Sequence, residues 1–405
     1  MTASGERHAS WLELFFDLVV VAAVVQLAHR LHDPSWAGAT VTLTLFYAIW
    51  SVWISYTLYA NVAATRTRTR SILIGMFGIA VMAAAVPGVG NRLPEVQDTR
   101  DFAFAVAYVI CRFTAAGTFR KAGTVMTSWP TAQLSRGLAL GPWILSIWFD
   151  APVTYQLWFV GIVLDILVSV RLSRDPERIM ARVRKKQARH KGRDPLATRG
   201  VLDPEHLGER LGLFTIIVLG EAVMQVVIGA AKVAWDLELG LVAVAGFALV
   251  VSLWWLTFQY GVSAAPQRLG GAALRPSVAL TAHFFMTAGI VALAAGLGVT
   301  AENPNTALPP AVAWLMCAGL SLNLAASAAL GTANGAGRRW TWGYAVPTAL
   351  LPLAVGLFGL DLDGWLVVTL LVLAPLWRIR YRPSGDQTGA RSSAGPDAGP
   401  PLPAT

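Results

Sequence analysis

The sequence predicts an all-α, polytopic bundle of about twelve transmembrane helices, and three observations predict it. Only 14% of the 405 residues are charged and 55% are hydrophobic, with a mean hydropathy of +0.55, whereas roughly a quarter of a soluble domain is charged. Apolar runs of about 20 residues, the length a helix needs to cross a bilayer core, recur from end to end. Lys and Arg collect in alternate connections between those runs.

The runs fall near 11–31, 37–60, 71–89, 101–119, 132–149, 153–171, 211–231, 238–261, 277–299, 309–330, 340–359 and 364–380. The first opens near Trp11 with two acids, longer and less basic at its front than a cleaved leader, and reads as a retained span. The fifth carries Arg136 and Pro142 and reads as a short span or a re-entrant segment. With both termini placed inside, the cytoplasmic side receives Arg7; Arg66, Arg68 and Arg70; Arg120, Lys121 and Arg136; the run from Arg171 to Arg210; Arg268 and Arg275; Arg338 and Arg339; and the basic residues from Arg378 onward. The outer side receives Arg30, Arg92, Arg100 and Lys232, while Arg112 lies within a span. An even number of passes through the plasma membrane with cytoplasmic ends satisfies this bias.

The longest interruption, 172–210, contains Arg182, Arg184, Lys185, Lys186, Arg189, Lys191 and Arg193 and divides the chain into six-span halves, 1–171 and 211–382. Two six-span halves would enter the membrane from the same side and be related as a parallel repeat. The net charge of +9 sits in these loops, so the expected partners are the bilayer and anionic headgroups at 172–210 rather than nucleic acid. The tail from Pro383 to Thr405 is rich in Pro, Gly, Ser and Ala and is expected to be disordered. Cys111 and Cys317 lie in apolar segments, which implies neither a disulfide nor a metal site. No phosphate-loop, zinc, HExxH or GxSxG spacing is present and no cofactor is expected. The 16 Trp read as interfacial anchors and packing. Oligomerisation is left open.

Ionisable groups inside a span are costly and point to function. The candidates are Glu13, Asp17, Arg112, Asp165, Glu221 and His283. Counted from the predicted cytoplasmic ends, they lie at related depths, so one polar cavity in the cytoplasmic half is expected, with Arg112 neutralised by Asp17 or Asp165 and no equivalent set in the outer half. His206, Arg210, Phe214, Ile217, Glu221 and Gln225 recur at helical spacing and share a face. Arg210 would then sit at the inner mouth and Glu221 deep within. Structural readings stand beside these: Glu13 as an acid offsetting a helix dipole, Asp165 as a salt-bridge partner, His283 as a neutral helix-to-helix hydrogen bonder.

Two motifs carry a family resemblance. Trp11-Leu12-Glu13-Leu14-Phe15-Phe16-Asp17-Leu18-Val19 resembles the ELFFDLV opening of the bacterial low temperature requirement protein A (LtrA) family. The stretch His206 to Phe214, continuing to Gly220 and Glu221, is similar to that family's HxxERxGxFxxxxLGE signature. The resemblance implies a multi-span bacterial membrane protein and marks Glu13, Phe16, Asp17, His206, Glu209, Arg210, Gly220 and Glu221. Ala222 stands where family members often carry Ser.

The functional expectation is a secondary transporter or ion-coupled permease for an unknown small solute or ion. In it Glu221 and Asp17 bind a proton or cation, Arg112 balances charge, and His206 and Arg210 line the inner entrance. Two other readings are a membrane-embedded enzyme acting on a lipid or isoprenoid, with Glu13 and Asp17 holding Mg²⁺, and a scaffold or sensor signalling through 172–210.

Overall fold

The computed structural model describes residues 9–63, 67–90, 99–126, 129, 139–173, 175–189, 198–260, 276–333 and 336–380; the predicted tail lies outside them. The described chain is a helical bundle with one two-residue parallel strand pair. Among the described residues, ten helices are long and apolar enough to cross a membrane.

The first half contributes α1 (Trp11–Arg30), α2 (Trp36–Ala63), α3 (Thr69–Ala85, extended by a 3-10 turn to Gly88), α4 (Arg100–Ala122), α5 (Leu140–Leu145) and α6 (Val153–Ser173). An amphipathic α7 (Pro176–Arg189) follows, then α8 (Pro204–Ala230), α9 (Leu237–Tyr260), α10 (Pro276–Glu302) and α11 (Pro310–Ala333). A short helix at Arg338–Trp340 and a π-helical turn at Thr341–Ala345 lead into α12 (Val346–Phe358), and α13 (Gly364–Arg380) completes the bundle.

Contacts at helix ends fix their relative directions. Arg30 at the end of α1 donates to the carbonyls of Val86 and Val89 at the end of α3. Tyr155 and Asp101, at the starts of α6 and α4, are hydrogen-bonded at 2.6 Å, and Lys232 and Glu302, at the ends of α8 and α10, pair at 2.7 Å. Thus α1, α3, α8 and α10 begin at one face, which also carries the Arg-rich ends of α4, α6 and α13 and is called the basic face below. α10 is the most enclosed of the ten spans.

The segment 132–149, expected as a short span or a re-entrant segment, is described from residue 139 onward. Strand β1 (Thr124–Val125) is held at the basic face by β2 (Thr198–Arg199), whereas α6 starts at the opposite face, so the connection must recross the bundle. Among the described residues it does so without a helix of spanning length: α5 and a 3-10 turn at Ser146–Trp148 rise about 15 Å together, half of a bilayer core. Stacking of Trp143 on Trp158, with centroids 5.1 Å apart, fills this position. The helix α13 has 17 described residues.

Two other expectations are refined. The predicted loop 172–210 contains α7, whose Ile179 and Met180 pack on Val125 while Arg184 and Lys185 stay exposed. The helix α8 starts at Pro204, well before the apolar run, because Asp203 caps the amides of Glu205 and His206 and Pro204 occupies the first turn.

Candidate functional site

The seam between α1 and α8 brings the two sequence motifs together at the basic face. Ser10 caps α1 in a reciprocal box: its hydroxyl accepts from the amide of Glu13, and Glu13 Oε2 accepts from the Ser10 amide at 2.8 Å. That engages one carboxylate oxygen and turns the other, Oε1, toward His206 Nε2 at 3.4 Å. Neither of these two buried atoms has any hydrogen-bond partner. The His206 tautomer follows from its neighbours. Asn61 Oδ1 accepts from the Asp203 amide, so the Asn61 amide nitrogen donates to His206 Nδ1 at 3.1 Å, and the ring proton lies on Nε2, facing Glu13.

One turn deeper, Asp17 and Arg210 form a bidentate pair at 2.6 and 2.7 Å, and Trp53 donates to Asp17 Oδ1 at 2.8 Å. Arg210 and His206 are fully enclosed, which corrects the expectation that they line an open inner mouth: both acidic partners come from α1, packed directly against them. Glu209 lies at the rim and accepts from the Ala9 amide at 3.0 Å. Glu13 Oε2 and both oxygens of Asp17 are thus engaged, and Glu13 Oε1 faces His206.

Arg112 is neutralised by Asp165, at 3.0 Å, and not by Asp17. Asp165 also accepts from the Tyr47 hydroxyl at 2.8 Å. His283 bridges these groups through α2. Trp50 donates to its Nδ1 at 3.2 Å and its Nε2 reaches the Leu211 carbonyl at 3.1 Å; since an indole only donates and a carbonyl only accepts, His283 is the neutral Nε2–H tautomer. Trp53 stacks on it at 5.8 Å.

The sequence reading does not single out α2, yet its Tyr47, Trp50, Trp53 and Asn61 hydrogen-bond Asp165, His283, Asp17 and His206 in turn. The recurrence of aromatics at 47, 50 and 53 on one helix face was the available signal. Trp50, Trp53, Trp143 and Trp158 are core residues, whereas Trp11, Trp36, Trp148 and Trp235 are exposed near helix ends, as interfacial anchors would be.

Glu221 does not join this cluster. With α8 starting at Pro204, Glu221 lies about 26 Å along the helix from the basic face and about 14 Å from the other end. It accepts from the Gln225 amide one turn further on, and Gln225 Oε1 accepts from His32 Nε2 at 2.9 Å. His29 and His32 rings are 5.2 Å apart. A second polar tier therefore exists near the opposite face, where none was expected; the cause is the position of the helix start. His29 and His32 fall at and beyond the end of the first apolar run, where an ionisable side chain carries no signal of its own. Between the tiers the seam is closed by Val20, Val24, Leu27, Phe214 and Val218, all at 0% exposure.

Comparison with known proteins agrees with this architecture. A protein of Rhizobium meliloti (strain 1021), itself described as uncharacterized, is 28% identical over 323 residues, 75% of this chain and 71% of that protein. No solved structure matches the chain. The family model described as bacterial low temperature requirement A protein (LtrA) matches residues 8–375, a range that contains both polar tiers and all ten spans, and the chain belongs to that family.

Proposed function

We propose that this protein is an ion-coupled secondary transporter of the plasma membrane, with twelve passes and both termini in the cytoplasm, in which Asp17 and Glu221 are the carboxylates that bind a proton or cation. The twelve are the ten long helices, the broken return through α5, and α13. The basic face is then cytoplasmic under the positive-inside bias.

One observation carries the reading: a single helix pair, α1 and α8, holds two buried carboxylates roughly 16 Å apart with an apolar layer between. Charges at such depth are costly and are kept where they interact with a permeating species. A site that is polar toward each face and sealed in the middle suits alternating access, in which small movements of one helix group against another open either side. Arg112, paired with Asp165, which also accepts from Tyr47, fixes the charge balance beside the cytoplasmic tier. The exposed Arg184 and Lys185 of α7 suit anionic headgroups, which would anchor the cytoplasmic surface.

The test is proton and cation flux into proteoliposomes under imposed pH and voltage gradients. The unmodified protein is expected to conduct, and Glu221→Gln and Asp17→Asn are each expected to abolish coupling. Normal flux in both variants would sink the assignment.

A further inference from the structure

We propose that Glu221 is reached from the face opposite the basic one, through a port walled by His29, His32 and Gln225, and exchanges its proton there rather than through the Asp17–Arg210 tier. The inference deepens the transporter reading by giving one carboxylate its own side of the membrane.

Four features lead to it. The hydrogen bonds from His32 to Gln225 and from Gln225 to Glu221 run from a residue beyond the end of α1 inward to the carboxylate. The neighbouring helix is cut away to make room: a Cβ on Gly298 of α10 would lie 3.0 Å from Gln225 Oε1 and 3.3 Å from His32 Nε2. A cavity of about 650 Å³ opens on the same face, and Gln26, His29, Arg30, Asp33 and Tyr155 line it; His29 thus belongs to both the cavity and the histidine pair, and lies close enough to Glu221 for their charges to interact. Toward the basic face, by contrast, the apolar layer of Val20, Val24, Phe214 and Val218 blocks approach.

The titratable groups around the port are His29 and His32, the cavity-lining Arg30, Asp33 and Tyr155 with its partner Asp101, and the Lys232–Glu302 pair at the rim. Burial holds His32 below its ordinary value. An amide cannot pass a proton on without changing tautomer, so Gln225 is a positioning residue. It holds one carboxylate oxygen while the proton arrives from water entering the port and converts the carboxylate to the acid.

Sided chemical labelling tests this without requiring transport. A water-soluble carbodiimide activates a protonated carboxyl group as an O-acylisourea, and an added amine, glycine ethyl ester, displaces the urea to leave an amide. The tryptic peptide from Leu211 to Lys232 contains Glu221 as its only acidic side chain, so its mass reports this residue alone, and Glu221→Gln supplies the blank. The reagents are added to right-side-out and inverted vesicles whose orientation is fixed independently by accessibility of an N-terminal tag.

Labelling several-fold faster from the face opposite the N-terminus is expected, and His32→Ala, by removing the cover, should raise that rate further. Equal or faster labelling from the basic face, or none from either face, would overturn the port. Should His32→Ala not fold, the comparison of faces in the unmodified chain still decides. Labelling from the opposite face without flux would leave the port standing and remove the transporter reading; flux lost in Glu221→Gln with labelling from the basic face would do the reverse.

Discussion

The two ends of the α1–α8 seam are made by the same pair of helices and are electrostatically unlike. At the basic face, Asp17 is clamped by both terminal nitrogens of Arg210, and Glu13 faces His206. At the opposite end, Gln225 is the side chain hydrogen-bonded to Glu221 among the described residues, and the ion pair on that side, Lys232–Glu302, is at the solvent-exposed rim. A bidentate pair out of water locks geometry, because separating it leaves a bare charge. A carboxylate held by an amide can gain or lose a proton with little rearrangement. The difference suggests a division of labour: Asp17 can exchange its partner only when α1 and α8 shift against each other, whereas Glu221 can change charge without that movement.

The largest expected effect comes from breaking the locked tier. Arg210→Met leaves Asp17 buried with no cation and is expected to destabilise the protein by about 3–5 kcal/mol, whereas Asp17→Leu combined with Arg210→Met should recover most of that loss. Unfolding of the detergent-solubilised protein, followed by helical circular dichroism, measures both. A double variant as unstable as the single one would mean that the pair is not the unit proposed.

Part of this contrast could be read from the sequence and part could not. The long apolar runs set nearly every helix, because a bilayer admits few alternatives to an apolar helix; the predicted 238–261 and 364–380 became Leu237–Tyr260 and Gly364–Arg380. For residues 132–149 composition admits a short span or a re-entrant segment, and the described part from residue 139 holds α5 and a 3-10 turn, with Trp143 stacked on Trp158. The spacing from His206 to Gln225 placed these residues on one face, but depth was counted from the first apolar residue, and the cap at Asp203 moved that origin. Partners were harder still. Asp17 finding Arg210, and Arg112 finding Asp165, depend on which helices are neighbours, and periodicity within one helix carries no such information.

The opposite tier should show smaller stability effects and larger functional ones. Gly298→Ala inserts a methyl group 3.0–3.3 Å from Gln225 and His32, and overpacking of this kind costs roughly 1–3 kcal/mol. Because one of the contacts is with the Gln225 Cβ at 3.2 Å, which moves only with its helix, the middle of that range is expected. Glu221→Gln keeps the shape and a hydrogen-bonding group beside Gln225, so its unfolding free energy should stay within about 1 kcal/mol of the parent while coupled flux disappears. If Glu221→Gln proved as destabilising as Arg210→Met, the two tiers would be doing the same structural job.

The smallest effect separates the tiers by pH. Burial lowers the His32 pKa, so on acidification the unfolded chain binds a proton at this residue before the folded one does. Stability from this group is therefore complete above the ordinary histidine value, about 6.5, and is lost as pH falls through it toward the depressed folded value. Thermal unfolding in detergent between about pH 8 and pH 5 should show a declining midpoint, and His32→Gln should flatten part of the decline. His32 is only partly buried, so the slope it contributes is shallow. A His32→Gln profile parallel to the parent would assign the pH dependence to other groups and leave His32 as a cover for the port without a titrating role.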